Sequence, residues 1–109
     1  MSADLVIHWR GEEIGIFRRP MPDMWYLEGR FDSNSSTAAV TFAALAGQLD
    51  AKAVSASPAN GMRVLLFGAA DSADRGTHAL VYSLSGENLF VRRVHDEEAV
   101  DWLLSNVME

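Results

Sequence analysis

Three histidines are the side chains best suited to acid–base or metal chemistry, because the imidazole titrates near neutral pH. His8 and His78 fall on predicted strands and His95 at a predicted helix start. No His-x-x-x-His or His-Glu-x-x-His spacing places two of them on one element. We therefore expect a structural or solvated role for each, while a nonstandard catalytic site around His8 or His78 stays open as one function hypothesis.

Four carboxylates, Asp96, Glu97, Glu98 and Asp101, crowd the start of the last predicted helix. Mutual repulsion would raise their pKa values and create an acid–base pair. A helix N-terminus favours negative charge and water screens it, so a solvated face is the simpler expectation. If the cluster has a function, the simplest one is contact with a basic partner surface.

Known cofactor and metal signatures fail on inspection. The segment Asp71–Gly76 begins like a calcium loop, but Ala73 and Arg75 stand where oxygen ligands are required. The sequence also contains no dinucleotide-binding or phosphate-binding glycine loop and no G-x-S-x-G elbow. No catalytic residue, cofactor or metal is therefore predicted.

Two arginine pairs, Arg18-Arg19 and Arg92-Arg93, could join into a positive patch if their strands meet. Adjacent strand residues point to opposite faces, so at most one arginine of each pair shares a face. Protection of sheet edges by charge is the expected role.

Met24 and Tyr26 are predicted to share the outer face of the third strand, with Met21 nearby. Met and Tyr are enriched in interface cores, so this face is a candidate interaction surface. Alternatively, a helix or the loop at 51–61 covers this face.

Composition limits the class of protein. The chain has 109 residues, 49% of them apolar, which suits a single domain over residues 1–109. A net charge of −6 argues against nucleic acid as a partner. The absence of cysteine, of a secretory signal and of a long apolar run predicts a cytoplasmic protein without membrane contact. The abundance of Arg and Ala, with Lys52 the only lysine, suggests a GC-rich bacterial genome.

Hydrophobic patterning predicts an α+β fold, a mainly antiparallel sheet of about six strands with two helices, in the order βββαβββα. The two halves have like order, which suggests a duplication. Strands are expected at 5–10, 13–17, 24–31, 62–67, 77–84 and 88–94, helices at 37–49 and after Asp96, and loops at 18–23, 51–61 and 69–76.

Three expectations concern local detail. Gly11-Glu12 should form the first hairpin turn, which places Trp9 opposite Ile14. Trp25, Leu27 and Phe31 should share the apolar face of the third strand. The first helix should bury Ala38, Phe42, Leu45 and Leu49, and the last should bury Val100, Leu103, Leu104 and Val107.

The leading function hypothesis is a noncatalytic protein–protein interaction or regulatory module, of the inhibitor type, whose acidic surface meets a basic partner. A homodimer is a further option, since the apolar strand at 62–67 favours coverage on both faces. The alternative is a small-molecule binding domain with a pocket between sheet and helices, lined by aromatic residues and oriented by one Arg or His. A cavity of several hundred Å³ holding such a residue would favour that alternative.

Overall fold

In the computed structural model, which describes residues 4–68 and 76–107, six antiparallel strands form a closed barrel. The strands are β1 (Leu5–Trp9), β2 (Glu12–Asp23), β3 (Tyr26–Ser33), β4 (Met62–Gly68), β5 (Thr77–Ser85) and β6 (Asn88–Val94). The helices are α1 (Thr37–Ala46), α2 (Ala51–Ala56) and α3 (Glu97–Asn106), and a short 3-10 turn covers Pro58–Asn60. The predicted α+β class and antiparallel sheet are confirmed.

The strands follow one another around the barrel in the order β1-β2-β3-β6-β5-β4. Two like halves, β1–β3 and β4–β6, meet at equivalent seams, with β3 against β6 and β1 against β4. The second seam closes the ring, whereas the hydrophobic pattern predicts a sheet of about six strands without a strand order. Arg92 and Arg93 lie on β6 between β3 and β5, so the edge-protection role expected for this pair is wrong, whereas Arg18 and Arg19 lie where β2 extends beyond β1.

Helix α1 closes one end of the barrel. It contacts β2 and β5, which lie opposite each other in the ring, so the helix must span the opening between them. Phe42 enters the core and meets Trp9 and Phe31 edge-on, with ring centroids 5.6 and 5.5 Å apart. The side chain of Ser36 caps the helix by accepting a hydrogen bond from the Ala39 amide.

Helices α2 and α3 lie against the outer face of the barrel. Leu103 and Val107 from α3 pack with Val54 from α2 and with Leu80 and Tyr82 from β5. This second apolar cluster is separate from the barrel core. Its position leaves a space between α3 and the end of the barrel opposite α1.

The prediction of two helices is wrong, because the segment at 51–61, which was expected to be a loop, contains α2. Asp50 caps this helix by accepting a hydrogen bond from the Lys52 amide, and Val54 is fully buried. A six-residue helix is too short to show a 3.6-residue period in the sequence.

The predicted first hairpin has the wrong turn. Arg10 and Gly11 form it, with φ angles of 53° and 78°, and Trp9 faces Glu12 rather than Ile14. The Arg10 guanidinium lies 4.1 Å from the centre of the Trp9 ring, which favours the shifted turn. Between Ile7 and His8 the register skips Ile14, a bulge of β2 at which Ile14 is buried, while Ile7 and Trp9 of β1 alternate into the barrel interior.

The segment 18–23, predicted as a connection, is the second half of β2. Pro20 lies at the bulge between Arg18 and Met21, and Pro22 pairs with Leu27 near the strand end. Strand β1 pairs only with residues up to Phe17, so the prolines occupy an overhang with β3 on one side. Missing amide donors are tolerated in such a position.

The predicted helix stripes are partly wrong. Helix α1 buries Ala39, Phe42 and Ala46, whereas Leu45 is exposed. Leu103 in α3 and Val107 directly after it are buried as expected, but Val100 is half-buried and Leu104 is exposed. Strand β4 buries Met62, Val64 and Leu66 in the barrel, and its other face is only partly covered.

Candidate ligand-binding groove

A groove of about 620 Å³ lies between α3 and the β6 end of the barrel, and we call it the α3 groove. Its apolar surface comes from Leu80, Val94, Ala99 and Leu103, with Pro58 at one side. Two tryptophans, Trp25 and Trp102, complete the apolar lining, and four polar residues contribute the rest: Arg92, Arg93, His95 and Asp96.

The two groove tryptophans are unusually exposed for their size. Trp25 is 52% exposed and Trp102 is 45% exposed, whereas Trp9 inside the barrel is 1% exposed. The predicted apolar face of β3 is thus wrong for Trp25, which precedes the strand. It lies instead in the two-residue turn between β2 and β3, where it lines the groove.

Arg93 holds this turn in place. Its backbone amide donates to the Trp25 carbonyl at 2.7 Å, and its Nη2 donates to the Met24 carbonyl at 2.6 Å. Met24 itself has a φ of 57°, a left-handed conformation that costs a side-chain-bearing residue about 1–2 kcal/mol. The hydrogen bonds from Arg93 help to offset that strain and fix the position of Trp25.

Three aromatic rings pack beside the groove. Tyr26 stacks on Phe90 with centroids 5.2 Å apart, and Tyr82 meets both rings edge-on at 5.7 and 5.5 Å. Tyr82 occupies a bulge of β5, where the pairing with β6 shifts between Val81 and Ser83. The cluster gives rigid support to the part of β6 that carries Arg92.

Arg92 lies beside uncharged side chains on the two neighbouring strands. It pairs with Tyr26 on β3 and with Leu80 on β5, and its guanidinium lies 6.0 Å from the centre of the Tyr26 ring. Burial raises the pKa of the nearby Tyr82 phenol, which stays neutral near pH 7 despite the opposing effect of Arg92. No ion pair within the described residues cancels the positive charge of Arg92.

The predicted acidic cluster is divided by the structure. The Asp96 carboxylate lines the groove and caps α3 by accepting a hydrogen bond from the Ala99 amide at 3.2 Å. At 3.6 residues per turn, Glu97 and Asp101 point to the side of α3 away from Ala99 and Trp102. Glu98, four residues before Trp102, borders that indole at the outer edge of the groove.

The candidate surface of Met24 and Tyr26 is also divided. Met24 lies in the turn and is 79% exposed, whereas Tyr26 is covered in part by Phe90 and Tyr82. The two residues therefore do not form one strand face.

The histidines do not form a site with one another. His8 and His78 both pair with Leu65 from opposite sides, so one strand separates them by about 10 Å in all. His8 packs against Phe67 with ring centroids 4.6 Å apart. His95 is exposed and lies in the lining of the α3 groove.

The arginine pairs lie in separate depressions. Arg18 bridges Asp4 and Asp32, with both ion-pair distances 3.0 Å, and lines a depression away from the α3 groove together with Arg19. Arg92 and Arg93 take part in no ion pair within the described residues.

The described residues contain no grouped metal ligands and no membrane-spanning helix. Over residues 4–68 and 76–107, no three His, Asp or Glu side chains are grouped to hold a metal ion. No helix there is long and apolar enough to cross a membrane. The calcium-like segment at 71–75 and most of the loop expected at 69–76 lie outside the described residues.

The sequence offers an aromatic-lined pocket between sheet and helices as one hypothesis but assigns neither groove tryptophan to it. Trp25 is predicted on the apolar face of the third strand and Trp102 has no predicted role, because both positions depend on the turn before β3 and on the packing of α3. Arg92 is predicted only as part of a charge pair. The usable signal was the pair Met24-Trp25, two large apolar residues directly after a proline-containing segment.

The chain matches no protein-family model, and it has no significant match among curated proteins or solved structures. Its function is therefore argued from the geometry of the groove.

Proposed function

We propose that the chain is a noncatalytic ligand-binding domain that holds a small molecule with a flat apolar body in the α3 groove. The observation that carries the proposal is the presence of two half-exposed indoles, Trp25 and Trp102, in one apolar groove of about 620 Å³. This volume lies within the range of about 300–1,000 Å³ found for small-molecule pockets.

The physical argument rests on area and rigidity. A ligand between the indoles removes apolar surface from water and gains about 25 cal/mol for each Å² buried. Tryptophan has two side-chain torsions, so fixing it costs little conformational entropy. Trp25 is already positioned by the contacts of Arg93 with the turn, which lowers the cost of binding further.

The proposal assigns no chemical step to the groove. Asp96 caps α3 and Arg93 anchors the turn, so both polar groups have structural partners. A reaction needs a base or nucleophile with a second group converging on one reacting atom. His95 also lines the groove, and no hydrogen bond or ion pair within the described residues joins it to a second polar group of the lining.

The test uses the neutral probe naphthalene-2-carboxamide and the indole N–H signals of the three tryptophans in ¹⁵N NMR spectra. We expect saturable shifts at Trp25 and Trp102 and none at Trp9, which serves as an internal reference. Trp102→Ala should weaken binding at least ~10-fold, as is typical for loss of an interface tryptophan. Leu104→Ala is the control, because Leu104 lies on the same helix with 44% exposure and does not line the groove.

Absence of saturable shifts at Trp25 and Trp102 would contradict the proposal. So would equal weakening by the two alanine substitutions, because it would assign the effect to α3 as a whole. Circular dichroism of each variant checks that the helix is retained.

A second candidate is a protein–protein interaction or regulatory module of the inhibitor type. It is favoured by the turn before β3, where Met24 is 79% exposed beside Trp25. Met and Trp are enriched in interface cores, and the acidic side of α3 with Glu97 and Asp101 would suit a basic partner. A second copy of the chain is the alternative partner.

Affinity capture from the native cell tests this candidate. The acidic variant replaces Glu97, Glu98 and Asp101 with the corresponding amides and keeps Asp96, because Asp96 caps the helix. Stoichiometric retention of one protein, lost in that variant and in Met24→Ser, supports the module; retention unchanged by both variants contradicts it. Sedimentation at two concentrations separates a second copy from a different protein.

A further inference from the structure

We infer that the ligand of the α3 groove is a flat organic anion, an aromatic carboxylic acid in its ionised form, whose carboxylate is held by Arg92. The inference rests on the proposed ligand-binding function and adds the charge of the ligand to it. Three observations carry it: the uncancelled charge of Arg92, the structural use of Asp96, and the unequal balance of charges in the groove.

Arg92 is placed to meet a carboxylate. It lines the groove, is exposed, and has the Tyr26 ring on one side, 6.0 Å from its guanidinium. The planar guanidinium presents five N–H donors to an incoming anion. Two parallel N–H donors match the two oxygens of a carboxylate.

The single carboxylate in the described groove lining, that of Asp96, does not pair with the Arg92 guanidinium. Asp96 accepts a hydrogen bond from the Ala99 amide at the start of α3 and forms no ion pair within the described residues. Two guanidinium groups, of Arg92 and Arg93, thus face one carboxylate in the lining. Arg93 adds positive charge from beneath the turn, although its Nη2 is already bonded to the Met24 carbonyl.

The whole chain has the opposite sign. Its net charge is −6, so a locally cationic groove is a departure from the general surface. Such a groove attracts anions and disfavours organic cations through complementarity of charge. Glu98 at the outer edge of the groove reduces the preference for anions only slightly, because its carboxylate is exposed and screened by water.

The experiment compares three probes with one ring system: naphthalene-2-carboxylate, naphthalene-2-carboxamide and naphthalen-2-ylmethylammonium. Dissociation constants come from the indole signals of Trp25 and Trp102. We expect the carboxylate to bind about 10-fold more tightly than the amide, and the ammonium ion most weakly. The preference for the carboxylate should decrease as salt is raised from about 0.02 to 0.5 M.

Two substitutions assign the charge. Arg92→Gln should abolish the preference for the carboxylate and leave the amide constant within about twofold, whereas Arg92→Lys should keep part of the preference. Arg30→Gln is the matched control, because Arg30 is exposed and pairs with Glu87 away from the groove. It should keep the full preference.

The outcomes separate the inference from the proposed function. Equal binding of carboxylate and amide, tighter binding of the ammonium ion, or a preference that survives Arg92→Gln would overturn the inference while the groove keeps its function. Failure of all three probes to shift Trp25 and Trp102 would overturn the proposed function and the inference together.

Discussion

Arg93 offers the sharpest test of how the α3 groove is built. Its side chain donates to the Met24 carbonyl at 2.6 Å, and its Nε is buried without an acceptor in the described residues. Arg93→Met removes a hydrogen bond from a charged donor, worth about 1.5–3 kcal/mol, and also removes an unsatisfied donor that costs about 1–3 kcal/mol. The two effects nearly cancel in the global free energy of unfolding.

We therefore expect the melting temperature of Arg93→Met to change by less than about 5 °C. Locally the effects do not cancel, because the turn at Met24 and Trp25 loses an anchor. The backbone amide of residue 93, which donates to the Trp25 carbonyl, should lose about 10- to 100-fold of its protection from hydrogen exchange. Naphthalene-2-carboxamide should bind several-fold more weakly, since one wall of the groove is no longer fixed.

The control is built into the barrel. The Phe31 amide donates to the Glu87 carbonyl at 2.7 Å, in an equivalent contact at the other end of the β3·β6 pair. Its protection should not change. Equal loss at both amides would mean general destabilisation, and unchanged protection at residue 93 would refute the anchoring role of the side chain.

Two further predictions concern the barrel and its outer cluster. Phe42→Ala should lower the free energy of unfolding by about 3–5 kcal/mol, because the ring fills the end of the barrel against Trp9 and Phe31. Val40→Ala, on the exposed side of α1, should change the free energy of unfolding by less than about 0.5 kcal/mol. Urea titrations of both variants measure this, and similar losses in the two would refute the closing role of Phe42. Tyr82→Phe should reduce the loss of stability above about pH 10, where an unfolded tyrosine ionises. Since folding raises the pKa of Tyr82, the contribution of its phenol to stability is present below about pH 10 and is lost as the pH rises through the pKa of the folded state. Parallel curves of stability against pH for wild type and variant would contradict this.

The strand pattern was predictable because it depends on short-range alternation. Ile7, Trp9, Leu27, Phe31 and Leu89 all face the barrel core, where a period of two places them. Closure depends on pairing between β1 and β4, which are far apart in the sequence, and local patterns contain no information about it. The same limit applies to which strands border a given helix.

The errors in detail have local physical causes. Gly11 was expected first in its turn, but Arg10 takes that place with a φ of 53° and lies over Trp9. The sequence predicts that Pro20 and Pro22 end the sheet, yet they occupy the part of β2 that extends beyond β1. In each case tertiary packing outweighs the preference of the single residue.

The groove was only partly predictable, for a related reason. An aromatic pocket oriented by one Arg or His was among the expectations, and the α3 groove contains both residue types. Trp25 and Trp102 are 77 positions apart. Their proximity depends on the pairing of β3 with β6 and on the turn after β6 that brings α3 back against the barrel. Nothing in the spacing of the two residues indicates that they share a site.

Closure of the barrel also limits how this protein recognises other molecules. An open sheet can bind an extended peptide by adding a strand to its edge. Here the described strands pair around a complete ring, and where β2 extends beyond β1 it contains Pro20 and Pro22, which have no amide hydrogen to donate to an added strand. Recognition must then use side chains on the outer face or at the ends of the barrel. Helix α1 fills one end with Phe42, whereas at the opposite end Arg93 fixes the half-exposed Trp25 beside α3, in the α3 groove.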